Sequence, residues 1–259
     1  MKKDYHLHPN IINNPEQHEK FIEIAIQKGL DEICFTDHMT LSISNAKDRI
    51  PRGMVKEYCK RVREASRKYE GIISIKCGIE IDYHPSVLSE VEAILGDGEF
   101  DFILGSSHMH LFTSEYSNCT FNDFAARSIE NSTKAAESGY FDAISHLDMY
   151  RVVFDNPRQY PLINDGYEPY AHKADIQIFI DKLSENDVRL EINSHLAEAK
   201  HDLFYTYPQD LILEWALNSG CAFSFGSDAH APNSVGACLD ELERHPLYSK
   251  ALLQWENSN

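Results

Sequence analysis

The stretch Ala222-Phe223-Ser224-Phe225-Gly226-Ser227-Asp228-Ala229-His230 decides the fold. Its first four residues read as a buried strand, Gly226 ends that strand, and Asp228 and His230 follow. In extended backbone, residues two apart point to the same side. A carboxylate and an imidazole therefore converge just past a strand end. The same design recurs in Asp4-Tyr5-His6-Leu7-His8, Thr36-Asp37-His38, Glu80-Ile81-Asp82, His108-Met109-His110 and His146-Leu147-Asp148. Each closes an apolar run. A single His-x-His pair is weak, because an isolated histidine is more often a satisfied surface or core residue. Repeated at one end of strand after strand, the pairs describe a site rich in nitrogen and oxygen ligands for metal ions.

Outward from these ends, strand-like runs fall near 4–8, 32–35, 72–81, 100–104, 141–145, 190–193 and 222–226. Helical patterns separate them, near 15–28, 55–69, 85–95, a segment ending at Gly139, 171–184 and 208–218. Gly29 and Gly220 stand where a helix C-terminus favours glycine. Strands alternating with helices make a parallel sheet with crossover helices. An open sheet gathers its ligands at one switch point. Here polar residues follow every strand, as they do at the C-terminal mouth of a barrel. The expected fold class is therefore α/β, a distorted seven-stranded (β/α)7 TIM-like barrel. With no linker and no repeat, residues 1–259 read as one domain.

Composition narrows the function. An apolar fraction of 42% over 259 residues is enough for a sizeable core. A net charge of -17 argues against nucleic acid and against an anionic membrane surface. No run reaches membrane-spanning length and the N-terminus lacks an apolar leader core, so a cytoplasmic enzyme is expected. The six cysteines form no Cys-x-x-Cys pair and read as reduced core thiols. An anionic substrate on so acidic a chain would need local positive charge, which bound cations supply.

Imidazole and carboxylate without cysteine suit zinc, manganese or iron. Glu80 is placed to bridge two ions. Paired ions about 3.5–4 Å apart clamp a phosphoryl group and lower the pKa of water. No Gly-x-Ser-x-Gly element or phosphate loop occurs in the sequence. Asp37 and Asp82 are expected to orient neighbouring imidazoles more than to ligate. His18, His172 and His245 fall on helices and read as surface residues.

His6-Leu7-His8, Thr36-Asp37-His38, Gly78-Ile79-Glu80-Ile81-Asp82-Tyr83, Gly105-Ser106-Ser107-His108, Ser145-His146-Leu147-Asp148 and Gly226-Ser227-Asp228-Ala229-His230 resemble the successive motifs of the polymerase-and-histidinol-phosphatase superfamily. The resemblance covers nearly the whole chain. The run from Tyr58 through Tyr69 to Tyr83 is similar to the histidinol-phosphate phosphatase branch. The resemblance implies a distorted seven-stranded barrel with up to three metals at its mouth. His6, His8, Glu80 and Asp228 would hold one, Glu80, His108 and His146 a second, and His38 and His230 would contribute to a third. The implied cofactors are two or three divalent ions, zinc first, with manganese or iron as alternatives.

Asp37, His38 and His230 are then the expected catalytic group. Arg151, a few residues beyond the His146 strand end, is expected to contact the substrate together with Arg52 and His110. The implied reaction is hydrolysis of L-histidinol phosphate to L-histidinol and phosphate, a step of histidine biosynthesis. The alternatives are a phosphoesterase acting on nucleotides or other small alcohol or sugar phosphates, and a catalytically idle metal-binding domain. The expected partner is a small phosphorylated substrate, with no nucleic acid and no membrane. The chain departs from the family pattern in two places. No further histidine follows the first pair within 9–14, and Ser107 and Met109 replace a hydrophobic and an aromatic residue. The motifs assign no role to His18, Glu191 or His195.

Overall fold

Strand β1 (Lys3–Leu7) pairs in parallel with β2 (Glu32–Phe35), and a bulge between Asp4 and Leu7 shifts their register. The computed structural model describes residues 1–39, 49–51, 53–108, 120–150 and 169–258. Beyond β2 the chain breaks at Thr36 and Asp37, then resumes as β3 (His38–Met39). Phe35 pairs with Cys77 and His38 with Glu80, both on β4 (Ser74–Asp82), so the offset is the same across the break. β2 and β3 are thus one interrupted stave. The remaining staves are β5 (Phe102–Ser106), β6 (Ala143–Ile144), β7 (Arg189–Asn193) and β8 (Phe223–Gly226), all parallel in sequence order.

The seven-stave sheet closes between its first and last members. His8 N donates to Ala229 O at 2.9 Å, and Leu7 bridges Ala229 in parallel. Asp4 fastens the seam. Its carboxylate accepts from the Ser227 hydroxyl (2.6 Å), the Ser227 amide (3.0 Å) and the Gly236 amide (2.8 Å). Burial raises the pKa of this carboxyl, and those donors work against the rise. The expected seven-stranded α/β barrel is the fold observed, nearly closed.

Helices cover the outside: α1 (Gln17–Gln27), α2 (Val55–Lys68), α3 (Leu88–Asp97), α4 (Phe121–Glu137) and α5 (Lys173–Glu185). α6 (His195–Lys200), α7 (Asp210–Asn218), α8 (Leu239–Arg244) and α9 (Tyr248–Asn257) complete the order. Each longer helix buries residues three or four apart, as a one-sided helix must. Val55, Tyr58, Cys59, Val62 and Ala65 do so on α2, and Ile176, Phe179, Ile180 and Leu183 on α5. Burying each large apolar side chain contributes about 1.5–3 kcal/mol. Thr120 starts α4 with a capping box, its hydroxyl accepting from the Asp123 amide while the Asp123 carboxylate accepts in return.

The sequence places a helix directly at Pro85, but a 3-10 turn (Pro85–Val87) comes first, capped by His84. α6 is an additional short helix that the sequence reading ran over. His172, expected on the surface, is buried, with Nε2 3.4 Å from Asn122 Oδ1. No described helix is long and apolar enough to cross a membrane.

Candidate metal centre

Glu80 sits at the middle of the mouth, buried, near the C-terminal end of β4. Five imidazoles face its two oxygens. Oε1 lies 3.5 Å from His6 Nε2, 3.3 Å from His146 Nε2 and 3.7 Å from His108 Nε2. Oε2 lies 3.6 Å from His8 Nε2 and pairs with His38 Nδ1. Asp228 closes the opposite side, with Oδ1 3.1 Å from His8 Nε2 and 3.7 Å from His6 Nε2. The structure thus gathers His6, His8, His38, Glu80, His108, His146, Asp228 and His230 into one cluster. Strand ends supply them, because side chains two apart on parallel staves all emerge at the same rim.

Two carboxylates outside this ring set the imidazoles. Glu191 Oε1 lies 2.6 Å from His6 Nδ1, and Asp82 Oδ1 lies 2.6 Å from His108 Nδ1. A carboxylate on Nδ1 keeps the hydrogen there and leaves the Nε2 lone pair turned inward. Glu191 Oε2 also accepts from the His146 amide (2.9 Å) and Asn193 Nδ2 (3.1 Å). The Ser106 hydroxyl donates to Glu80 Oε1 and lies 2.9 Å from Ser145 Oγ. Gly226 makes room for all this. A Cβ there would come within 2.3 Å of Glu191 Oε1 and of His6 Cβ.

The electrostatics are those of a site short of positive charge. Burial opposes ionisation of Glu80, but His38, His6 and His108 hold its pKa well below the usual range. Burial likewise opposes the charge on Asp228, and His6 and His8 overcome it. Burial works against His6 as imidazolium, yet Glu191, Asp228 and Glu80 raise its pKa well above the ordinary value. His8 goes the other way, lowered by burial and by His38 and His230, and stays neutral as a ligand must be.

The residues fit metal. His6 Nε2, His8 Nε2 and Asp228 Oδ1 are buried and make no hydrogen bond. Among the described residues, four sets offer ligand atoms within 4.8 Å of one another: His6, His8 and Asp228; His6, Glu80 and His146; His8, His38 and His230; and His195, Asp228 and His230. His38 Nε2 and His230 Nε2 face each other at 3.2 Å. Their Nδ1 atoms are turned to the Glu80 carboxylate and, at 2.9 Å, to the Asp228 carbonyl. Two nitrogens each about 2.0–2.1 Å from a tetrahedral zinc stand about 3.3 Å apart.

Asp37 requires a correction. Its oxygens accept from the amides of Asn10 (2.7 Å) and Ile11 (2.9 Å), so it pins the turn after β1 and orients no imidazole among the described residues. Those amides only partly offset burial, which raises its pKa to about 6. Arg52, Arg151 and His110, expected at the substrate, lie outside the described residues. His18 belongs to none of the ligand sets. It lies on α1, and burial lowers its pKa, with Lys68 and Arg61 among its charged neighbours. Glu191 and Asn193 were not selected from sequence, nor was His195. Their signal was present in Glu191-Ile192-Asn193-Ser194-His195, the same alternation past a strand end.

A parallel barrel whose mouth gathers buried imidazoles and carboxylates around unpaired lone pairs defines an α/β barrel with a mouth fitted to divalent ions. The PHP domain model matches residues 4–195, and the chain belongs to that family. A Deinococcus radiodurans protein named probable histidinol-phosphatase is 28% identical over 90% of this chain and 88% of its own. The histidinol-phosphatase of Bacillus subtilis is 25% identical, covering 94% of this chain and 99% of its own. The Lactococcus lactis histidinol phosphate phosphatase, solved with zinc, L-histidinol and phosphate, superposes with a TM-score of 0.72 at 20% identity. That superposition covers 96% of this chain and 93% of the other.

Proposed function

We propose that this chain is a metal-dependent phosphomonoester hydrolase that converts L-histidinol phosphate to L-histidinol and phosphate. The observation that carries this reading is the buried cluster itself. Glu80 and Asp228 face His6 and His8, whose Nε2 atoms lack hydrogen bonds. Relatives named for this activity align over nearly their full length, which supports the substrate.

Two or three divalent ions, zinc first, are proposed for the cluster. His6, His8, Glu80 and Asp228 would hold one, Glu80, His108 and His146 a second, and His38 and His230 would contribute to a third. Bound there, the ions would neutralise the phosphoryl oxygens and lower the pKa of a water. The chain's own part is orientation. Glu191 keeps the His6 hydrogen on Nδ1, Asp82 does the same for His108, and the Asp228 carbonyl does so for His230. The side chain of His230 is 44% exposed against 14% for His38, so His230 is the one of this pair that meets incoming substrate. Where the third position holds no ion, His38 and His230 are proposed to hold and pass the proton the leaving alkoxide requires. Arg151, Arg52 and His110 belong to the same proposal as phosphate contacts, with a guanidinium able to take two oxygens at once.

The test is phosphate release by the zinc- or manganese-loaded protein. L-histidinol phosphate would be compared with an aryl phosphate, sugar phosphates and nucleotides. Preference for L-histidinol phosphate is expected. Faster hydrolysis of nucleotides would move the assignment to another phosphoesterase. No release above a chelator-treated control would leave only a metal-binding domain.

A further inference from the structure

On strand β7, Glu191 and Asn193 face the cluster, and His195 follows two residues on, at the start of α6. His195 Nδ1 lies 3.0 Å from the carbonyl oxygen of Asp228, and His230 Nδ1 lies 2.9 Å from the same oxygen. A carbonyl oxygen only accepts, so each Nδ1 carries its hydrogen and each neutral ring keeps its lone pair on Nε2. The carbonyl that fixes both rings belongs to a residue in the left-handed region, Asp228 at φ 52. Non-glycine residues take that conformation seldom, and chiefly where surrounding structure enforces it. His195, Asp228 and His230 offer one ligand atom each within 4.8 Å of one another. Asp228 Oδ1, buried, makes no hydrogen bond.

We propose that His195 is itself a metal ligand, completing with Asp228 and His230 a divalent-cation position on the outer side of the cleft. This rests on the metal-centre reading above and adds a ligand to it. His230 belongs both to this set and to the one with His8 and His38. Asp228 belongs both to it and to the set with His6 and His8. The Asp228 carboxylate can serve this ion and an inner one together, but the single Nε2 lone pair of His230 goes to one ion at a time, so the ion held by His195 competes with the inner position for His230 and would be the most weakly held.

The test is zinc binding to chelator-stripped protein at fixed free zinc, with stoichiometry read by elemental analysis. His195→Ala removes the ring. His195→Asn keeps a side-chain N–H where Nδ1 stands, and so keeps the donor to the Asp228 carbonyl, but it has no Nε2. Both variants are expected to lose the weakest zinc equivalent or bind it about tenfold or more weakly. The Asn variant should melt like the wild type when metal-free. In histidine-labelled wild type, the His195 Nε2 resonance should shift as that last equivalent is added. Wild-type zinc binding by the Asn variant would reduce His195 to a carbonyl tie and overturn the proposal. So would wild-type binding by the Ala variant, or a His195 Nε2 resonance that ignores zinc. These readouts do not involve hydrolysis. A protein that binds zinc through His195 yet cleaves no phosphate ester would refute the function and leave this site standing.

Discussion

Exchanging Glu191 for glutamine replaces one acceptor oxygen by an NH2 donor without changing the volume. In the native side chain both oxygens face donors. Oε1 meets His6 Nδ1 at 2.6 Å, and Oε2 meets the His146 amide at 2.9 Å and Asn193 Nδ2 at 3.1 Å. Turning the new NH2 toward Oε2's partners would leave two buried donors unmatched, at about 1–3 kcal/mol each. Turning it toward His6 requires only that Nδ1 become an acceptor. That orientation wins, and it moves the His6 hydrogen to Nε2. Nε2 is the atom 3.5 Å from Glu80 and 3.7 Å from Asp228, and once protonated it cannot ligate. Glu191→Gln should therefore weaken zinc by about 10- to 100-fold, the usual range for loss of a carboxylate behind a histidine ligand. That is about 1.4–2.7 kcal/mol of binding. The metal-free protein should melt within about 1 kcal/mol of wild type, since packing is conserved. Competition against a chromophoric chelator measures the affinity. Unchanged zinc affinity and stoichiometry in the variant would refute the claim that Glu191 acts through the His6 tautomer.

Three further outcomes follow from the same geometry. Glu80→Gln removes the charge that five imidazoles face, and metal content and phosphate release should fall together by more than about 100-fold; a loaded, active variant would contradict the shared-carboxylate site. Gly226→Ala drives a methyl against Glu191 and His6 Cβ and should cost about 1–3 kcal/mol in a denaturant titration, with zinc affinity falling as well. Asp101 accepts from the Cys77 amide at 2.8 Å and from Arg63, and although burial pushes its pKa up, these partners bring it below the ordinary value. A folded-state pKa below the unfolded value of about 3.9 adds stability above that pH and loses it as pH falls through the folded value. Solvent screens this partly exposed pair, so Asp101→Asn should be less stable than wild type by only about 1 kcal/mol at neutral pH, and the gap should close below about pH 4; a pH-independent gap would point to packing instead.

The barrel and the ring of imidazoles and carboxylates at its mouth were legible because period-two alternation and strand-end polarity are local signals. His6, His8, Glu80, His146 and Asp228 each follow an apolar run, and no tertiary information is needed to pick them out. Asp37 was misread for the opposite reason. Its neighbour His38 is adjacent in sequence, but the donors it meets are the amides of Asn10 and Ile11, which only the fold brings near. Glu191 and His195 obey the same alternation as the chosen residues, yet no histidine pair marks their strand end, so they passed as ordinary polar residues. His172 was misassigned because a histidine at a helix start carries no sign of what packs over it. Gly226 could be read as a strand end but not as a clearance, since its two close neighbours come from β1 and β7.

The seam between the first and last staves has a consequence for the order of events in biosynthesis. His6 and His8 leave the ribosome 222 residues ahead of Asp228 and His230 respectively. Asp4 waits just as long for its hydroxyl and amide partners at Ser227 and Gly236. Until the final strand is delivered, the two early imidazoles have no opposing carboxylate from that side, and the sheet stays open along one edge. Contacts of such sequence separation form late because the intervening chain must first be ordered. The meeting of His8 with the Asp228 carboxylate is thereby tied to completion of the last stave.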